Sequence, residues 1–311
     1  MSSSRLSAGV AWMGDSRKRV VLVTGASSGI GNAVATQLAK KGFAVYGTSR
    51  NPENRHRRVD EFFELIRMDV ADDDSVSTAV AYILAREGRI DALLCCAGMG
   101  IAGAVEETPI EEAARQLDVN FMGTARTIHA ALPSMRTHGG TILIIGSMAG
   151  LVGVPFQAYY SASKFALEGF VDSLRMELAD PGIRIRRRTG KKGERRLEGR
   201  PPVQVSLIQP GDFKTGFTTA RAVYGLAEGS HYAETGRRAL SVMEESEKTG
   251  SDPILVARLV LKLLDSKKIG SRYTAGPLAQ RFVVALRLAL PRGIQERLLM
   301  MYYRVFNRNG V

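Results

Sequence analysis

Tyr160 and Lys164 stand four residues apart, and Ser147 precedes the tyrosine by thirteen. On a helix, side chains at i and i+4 project from one face, so a phenol and an ammonium would share one pocket. A hydroxyl at a nearby strand end would complete the group. Such a set is suited to moving a proton on or off a substrate oxygen. A free tyrosine has a pKa of about 10 and exchanges protons poorly near neutrality. A cation within roughly 4–6 Å lowers that by about 1–3 units, into a useful range. The sequence therefore predicts a Tyr160 phenol whose pKa is lowered by Lys164. Asn120, in the run Leu117 to Gly123, falls inside a helical stretch. A mid-helix Asn competes with the backbone for hydrogen bonds and so needs a reason. Its amide is expected to hold a water that links Lys164 to solvent.

The Tyr-x-x-x-Lys spacing is by itself a common helical pattern, and its weight comes from what lies upstream. Thr24 to Gly31 reads TGASSGIG, between an apolar run and a helical segment. Gly25, Gly29 and Gly31 permit a tight turn and a close backbone approach, with Ser27, Ser28 and Ile30 between them. A pyrophosphate is favoured there, because a helix N-terminus presents unpaired N–H groups and a positive dipole end. The spacing G-x-x-x-G-x-G departs from the common G-x-G-x-x-G fingerprint. Ser49 and Arg50 follow the second apolar run, where a carboxylate would hold a ribose hydroxyl and an arginine accommodates a 2′-phosphate. Arg50 is followed by Arg55, Arg57 and Arg58, so NADP(H) is expected over NAD(H). Asp69 and Val70 follow the third run; the carboxylate could accept from an adenine amino group or simply cap a turn. Ala97 and Gly98 end the fourth run, after Cys95 and Cys96, and are small enough for a ribose to lie against the backbone.

The elements that must position these groups alternate along the chain. Short β-branched runs at Val20–Thr24, Phe43–Thr48, Glu64–Met68, Ala92–Cys96, Thr141–Gly146, Val203–Ile208 and Arg272–Thr274 read as strands. Helical patterns lie near 30–40, 73–86, 109–132, 158–179 and 252–264. Polar Asn51–Asp60 shows no helix after the second strand. The alternation predicts one α/β domain, a doubly wound parallel sheet of about seven strands with helices on both faces. Ligands in such sheets bind outside the carboxyl ends of the strands, which is where all the groups above fall.

Composition narrows the class. The chain has 311 residues, 45% apolar and 24% charged, which is ordinary globular usage. Its net charge of +12 resembles a nucleic-acid signal until it is located: residues 184–202 alone hold nine Lys/Arg and two Glu, a net of +7. That tract is expected to be a solvated insertion between a helix and a strand, on the sheet edge away from the chemistry; an electrostatic tether is its alternative. No nucleic-acid partner is expected. Residues 1–17 read as a disordered extension. Two adjacent cysteines fit neither a disulfide framework nor a metal site, and no metal is expected; a cytoplasmic protein is. His56, His129, His138 and His231 do not cluster. No stretch of 18 apolar residues occurs, so no spanning helix is expected.

Taken together, TGASSGIG, Asp69-Val70, the Ala97-Gly98 pair, Asn120, Ser147, Tyr160-x-x-x-Lys164 and Pro210-Gly211 resemble the short-chain dehydrogenases/reductases, over roughly residues 18–275. The run from Tyr159 to Leu178, with VSLIQPGDFKT, is similar to the branch holding 17β-hydroxysteroid and retinol dehydrogenases. The resemblance implies a Rossmann-type sheet, a homo-dimer or homo-tetramer built through the long helices, and carbonyl/alcohol chemistry. It implies Tyr160 as acid/base, Lys164 on its pKa and the nicotinamide ribose, Ser147 on the substrate oxygen and Asn120 in a proton relay. Pro210, Gly211 and Thr215 would border the nicotinamide amide. Where the family commonly has Asn before Ala-Gly, this chain has Cys96.

Residues 212–251 follow a strand's carboxyl end and are expected to form a substrate lid, with Phe213, Phe217, Tyr224 and Tyr232 facing an apolar ligand or packing among themselves. Residues 277–311 alternate apolar and cationic positions. They are expected to cover the cleft, with a peripheral membrane contact as the alternative. The leading expectation is an NADP(H)-dependent oxidoreductase for a lipophilic ketone or alcohol. Two others stand beside it: a cofactor-sensing scaffold without turnover, and a sugar-nucleotide epimerase.

Overall fold

A strand buried on both faces reads as a continuous apolar run, and this chain's runs fold accordingly. The computed structural model describes residues 17–52, 62–179, 203–217, 219–286 and 290–306. The first half contains β1 (Val20–Val23), α1 (Gly29–Lys40), β2 (Ala44–Ser49), β3 (Glu64–Arg67), α2 (Asp73–Glu87) and β4 (Ala92–Cys95). Then follow β5 (Ile101–Gly103), α3 (Ile110–Leu117), α4 (Gly123–His138), β6 (Gly140–Ile145), α5 (Ala158–Ala179) and β7 (Val203–Pro210). The last part holds β8 (Ala222–Tyr224), α6 (Ala233–Lys248), α7 (Ile254–Leu264), β9 (Arg272–Ala275), α8 (Leu278–Leu286) and α9 (Arg292–Tyr302).

Seven of these strands form one parallel sheet in the order β3-β2-β1-β4-β6-β7-β9. Helices α1 and α7 cover one face through Val34, Leu38, Val256 and Val260. Helices α2, α4 and α5 cover the other through Ile83, Ile128, Met135, Leu167 and Val171. Fully burying each such side chain contributes about 1.5–3 kcal/mol. The chain winds outward from β1 to β3, then returns to place β4 on the other side of β1. The crevice between β1 and β4 is therefore the topological switch point, where such sheets bind ligands.

Three departures from the sequence reading have physical causes. The predicted helix over 109–132 is α3, a π-helical turn at Asp118–Met122, and α4, which runs on to His138 through Pro133. The π turn inserts one residue and swings Asn120 inward, where it is 1% exposed. Residues 212–251 are not one loop: they contain β8, which pairs in parallel with β5, and the 16-residue helix α6. Beyond β9, Leu278–Leu286 and Arg292–Tyr302 are helical, as α8 and α9. The expected N-terminal extension, Arg55, Arg57 and Arg58, and the basic tract at 184–202 lie outside the described residues. Its flanking strand β7 begins at Val203 opposite Gly140, at the amino end of β6. No helix among the described residues is long and apolar enough to cross a membrane.

Candidate active site

The glycine loop is held by the ends of two strands. Thr24 accepts at Oγ1 from the backbone N–H of Cys96 at 2.9 Å and of Ala97 at 3.0 Å, joining β1 to β4. Gly25 has φ +64, and a Cβ there would lie 2.8 Å from Ala97 Cα. A Cβ on Gly31 would lie 2.4 Å from the carbonyl oxygen of Gly25, so only glycine lets α1 start this close to the turn. Ser28 caps α1 without a side-chain bond, and the first turn carries no acidic residue. The cradle thus leaves donors and a positive dipole end facing the cleft, which suits a pyrophosphate.

Around it, a cleft of about 1070 Å³ gathers all of the predicted site residues except Asn120. Gly25, Ser27, Ser28, Gly29, Ile30 and Gly31 line one end, with exposed Arg50 after β2. Asp69, Val70, Ala97 and Gly98 line the next stretch. The Asp69 carboxylate accepts from the Ala71 N–H at 3.0 Å, so part of its capacity goes to its own turn. Pro210, Gly211 and Thr215 close the cleft from the end of β7, and Thr215 Cβ lies 3.4 Å from where a Gly29 Cβ would be.

Ser147, Tyr160 and Lys164 come together on the cleft wall. Ser147 starts a short 3-10 turn after β6, and its Oγ accepts from Ala149 N–H at 3.1 Å. Tyr160 and Lys164 share one face of the first turns of α5. The turn packs so closely on α5 that a Cβ on Gly150 would meet the Lys164 carbonyl oxygen at 2.8 Å. Lys164 Nζ donates to Ile145 O at 3.0 Å and lies 5.7 Å from the centre of the Tyr160 ring.

The electrostatics differ from the expected pairing. Burial pushes the Tyr160 phenol up to about 12, outweighing the Ser147 hydrogen bond and the Arg221 charge, which pull it down. Burial brings the Lys164 ammonium down to about 8, against a smaller opposing effect of Cys96. In the chain alone, burial therefore sets the direction of both shifts. Burial likewise raises both the Cys95 and Cys96 thiols.

Asn120 stands behind this group. Its Nδ2 donates to Met99 O and to Ser163 Oγ, both at 3.0 Å, and its Oδ1 accepts from Met99 N–H at 2.8 Å. Both amide hydrogens are thus taken by protein, and the side chain ties the segment after β4 to α5. Sequence reasoning missed Ser163, which is fully buried and donates to the Tyr160 carbonyl at 2.7 Å. A serine three residues past the tyrosine, on its face, was the available signal.

Apolar and aromatic side chains also line the cleft, among them Val154, Phe217, Met243, Leu299 and Tyr303. The Phe217 ring lies 5.7 Å from that of Tyr160. Phe213 also lines the cleft, whereas Tyr224 belongs to β8 and the Tyr232 hydroxyl donates to Glu106 at 2.7 Å. Among the described residues no metal-type cluster occurs.

The family model described as short chain dehydrogenase matches residues 19–187. A 3-ketodihydrosphingosine reductase from Bacteroides thetaiotaomicron is 35% identical over 289 residues, covering 92% of this chain and 98% of the relative. Human 17-beta-hydroxysteroid dehydrogenase type 1 is 40% identical over 181 residues, 54% of this chain and 55% of its own length. The crystal structure of a short-chain dehydrogenase from Streptomyces avermitilis matches with a TM-score of 0.71 at 29% identity, covering 93% of this chain and 96% of that one. The chain belongs to the short-chain dehydrogenase/reductase family, NAD(P)-dependent oxidoreductases that act on CH–OH groups.

Proposed function

We propose that the chain interconverts a ketone or aldehyde and an alcohol on a lipophilic, steroid-, retinoid- or acyl-lipid-like substrate, using NADP(H). The observation that carries this reading is the half-buried Tyr160 beside Ser147, in one cleft with the glycine loop and with Phe217, Met243 and Leu299. Ser147 Oγ would hydrogen-bond the substrate oxygen, and the Tyr160 phenol would donate its proton there during reduction or accept one during oxidation. Lys164 would supply positive charge beneath the nicotinamide ribose, and Asn120 and Ser163 would hold α5 in place. The glycine loop would bind the pyrophosphate, Arg50 the 2′-phosphate, Asp69 and Val70 the adenine. Ala97, Gly98, Pro210, Gly211 and Thr215 would border the ribose and the nicotinamide amide. The nicotinamide, when bound, supplies or accepts the hydride.

The names of the relatives, a reductase of a sphingoid ketone and a steroid dehydrogenase, support a lipid-like substrate. The test is NADPH consumption with 3-ketodihydrosphingosine, a keto-steroid and retinal, for wild type and Tyr160→Phe. Turnover by wild type alone is expected. Equal rates in the two proteins would refute the acid/base role.

Two further parts of the reading concern surfaces. Leu298, Leu299, Tyr302 and Tyr303 of the C-terminal segment line the cleft, which supports a cover over the substrate. Leu278, Phe282, Ile294 and Met301 are exposed beside Arg281, Arg292 and Arg297, which supports peripheral contact with an anionic membrane. Failure to sediment with anionic vesicles would remove that contact. Exposed Phe165 and Met176 on α5 support a dimer or tetramer through the long helices, which light scattering would check.

A further inference from the structure

The substrate cleft contains an ion pair that proton transfer at Tyr160 does not use. Arg221, one residue before β8, meets Glu247 near the end of α6 through Nη2 and Oε1. Both line the cleft, and their side chains are 2% and 15% exposed. The pair is incomplete: Arg221 Nε and Glu247 Oε2 are buried and have no hydrogen-bond partner. A guanidinium presents a fixed fork of donors and a carboxylate can accept bidentately, so one donor and one acceptor on joined groups are left open here. Buried polar atoms are paired almost everywhere in folded proteins, and an open donor and acceptor in a ligand cleft point to a ligand that supplies both bonds.

We propose that Arg221 and Glu247 form a second anchor in the substrate cleft, which recognises a hydroxyl carried by the lipophilic substrate apart from its reacting carbonyl. This rests on the carbonyl/alcohol reading above and names a further requirement of the substrate. The two open atoms select the group. A hydroxyl accepts from Nε–H and donates to Oε2 at once. An ammonium has no lone pair for Nε–H and would face the guanidinium. A carboxylate or phosphate has no proton for Oε2 and would face its charge. An alkyl chain would leave both atoms bare.

Position agrees with chemistry. Phe217 neighbours both polar points, its ring 5.7 Å from that of Tyr160 and 5.9 Å from Arg221 Cζ. The anchor is thus one aromatic ring away from the oxygen that reacts. Arg221 is fixed there by its neighbour Ala222, whose N–H donates to Gly100 O at 3.1 Å. Both charges of the pair act on the Tyr160 phenol. A substrate that reaches both points is a hydroxy-ketone, with the hydroxyl a few bonds from the carbonyl and the alkyl remainder along Met243 and Leu299.

The experiment is a titration of the NADPH-loaded chain, in which alcohols bind without reacting. The probes are octanediols with their hydroxyls two to five carbons apart, and octan-3-ol as the comparison. The best diol is expected to bind at least roughly tenfold more tightly than octan-3-ol, as a hydrogen bond to a charged partner gives. In the double variant Arg221→Met/Glu247→Met, where an apolar pair of similar volume replaces the ions, that ratio is expected to fall to about one. A wild-type ratio near one, as a resident water between the two atoms would give, overturns the proposal whatever the variant does. Absence of binding by every probe, or an undiminished ratio in a folded double variant, does so too. A diol preference in a chain that turns over no ketone with either cofactor would leave the anchor standing and sink the carbonyl reading.

Discussion

Lys164 donates its ammonium to the carbonyl oxygen of Ile145 at 3.0 Å, tying the start of α5 to the carboxyl end of β6. The same ammonium lies 5.7 Å from the centre of the Tyr160 ring. Burial then acts on the two groups in opposite senses, raising the phenol to about 12 and lowering the ammonium to about 8. Two groups whose environments separate their pKa values divide the acid and charge roles between them.

A pH profile follows from that separation. Tyr160 keeps its proton throughout the neutral range, so it remains a competent acid for reduction. Lys164 is charged below its pKa of about 8 and loses its charge as pH rises through it. Reduction should therefore be level across neutral pH and decline above about 8. Oxidation needs the deprotonated phenol and should climb as pH rises toward 12. Lys164→Arg, whose guanidinium stays charged, should lose the inflection near 8 while retaining part of the activity. An unchanged inflection in that variant would assign it to another group.

Cofactor choice is expected to depend on Arg50. It is exposed at the end of β2 and lines the cleft, where a 2′-phosphate would be met by charge and a bidentate fork. Arg50→Asp should lower kcat/KM with NADPH by at least about tenfold, since a partly solvated charge pair with phosphate contributes on the order of 1.5 kcal/mol or more. NADH should be less affected, so the preference narrows or inverts. Parallel steady-state rates with both cofactors measure this, and an unaltered ratio would remove Arg50 from the cofactor site.

The strands were legible because parallel strands buried on both faces must be apolar throughout; the sequence reading of β1 to β9 in the main sheet errs by one or two residues at the ends. Tyr160, Lys164 and Ser147 were legible because helix geometry converts a four-residue spacing into a shared face. The polar supports were not. Asn120 enters the site through a π turn, which no hydrophobic period announces. Thr24 works through backbone groups 73 positions away, and Ser163 through the Asn120 amide 43 positions away. Helix α6 did carry a signal, since Ala239, Leu240 and Met243 recur at helical spacing and are buried. It was obscured because the aromatic residues before it suggested a loop. The Arg221–Glu247 pair joins residues 26 positions apart, and only the tertiary fold brings them together.

Gly31 tests the cradle by steric means. An added methyl would lie 2.4 Å from the Gly25 carbonyl oxygen and 2.9 Å from its carbon, both backbone atoms that cannot swing aside. Gly31→Ala must therefore shift either the turn or the first turn of α1, which misaligns the N–H groups facing the cleft. Affinity for NADPH should fall by roughly a hundredfold or more. The rise in Tm that NADPH gives the wild type, which reflects about 2.7 kcal/mol of stabilisation at a hundred times Kd, should largely vanish. Gly293→Ala, where nothing lies within 4 Å, should keep that rise. Equal ligand-induced shifts in both variants would show that the turn tolerates the methyl.

Thr24 is the last polar group whose removal separates architecture from chemistry. Thr24 is 1% exposed, and its hydroxyl accepts both the Cys96 and the Ala97 N–H, joining the carboxyl ends of β1 and β4 at the switch point. Thr24→Val keeps the shape and removes the acceptor, so two backbone donors lose their partner at once. Each such orphan costs about 1–3 kcal/mol when buried, and the pair should lower stability by roughly 2–5 kcal/mol. Because Ala97 borders the cleft beside Gly25, its N–H would seek water, the crevice would widen, and NADPH affinity should fall about tenfold. Thr24→Ser restores the acceptor without the methyl and should recover most of both losses. Chemical denaturation and cofactor titration on the three proteins give the comparison. If Val matches the wild type while Ser is weakened, the methyl packing of Thr24 matters and the hydroxyl bridge between the strands does not.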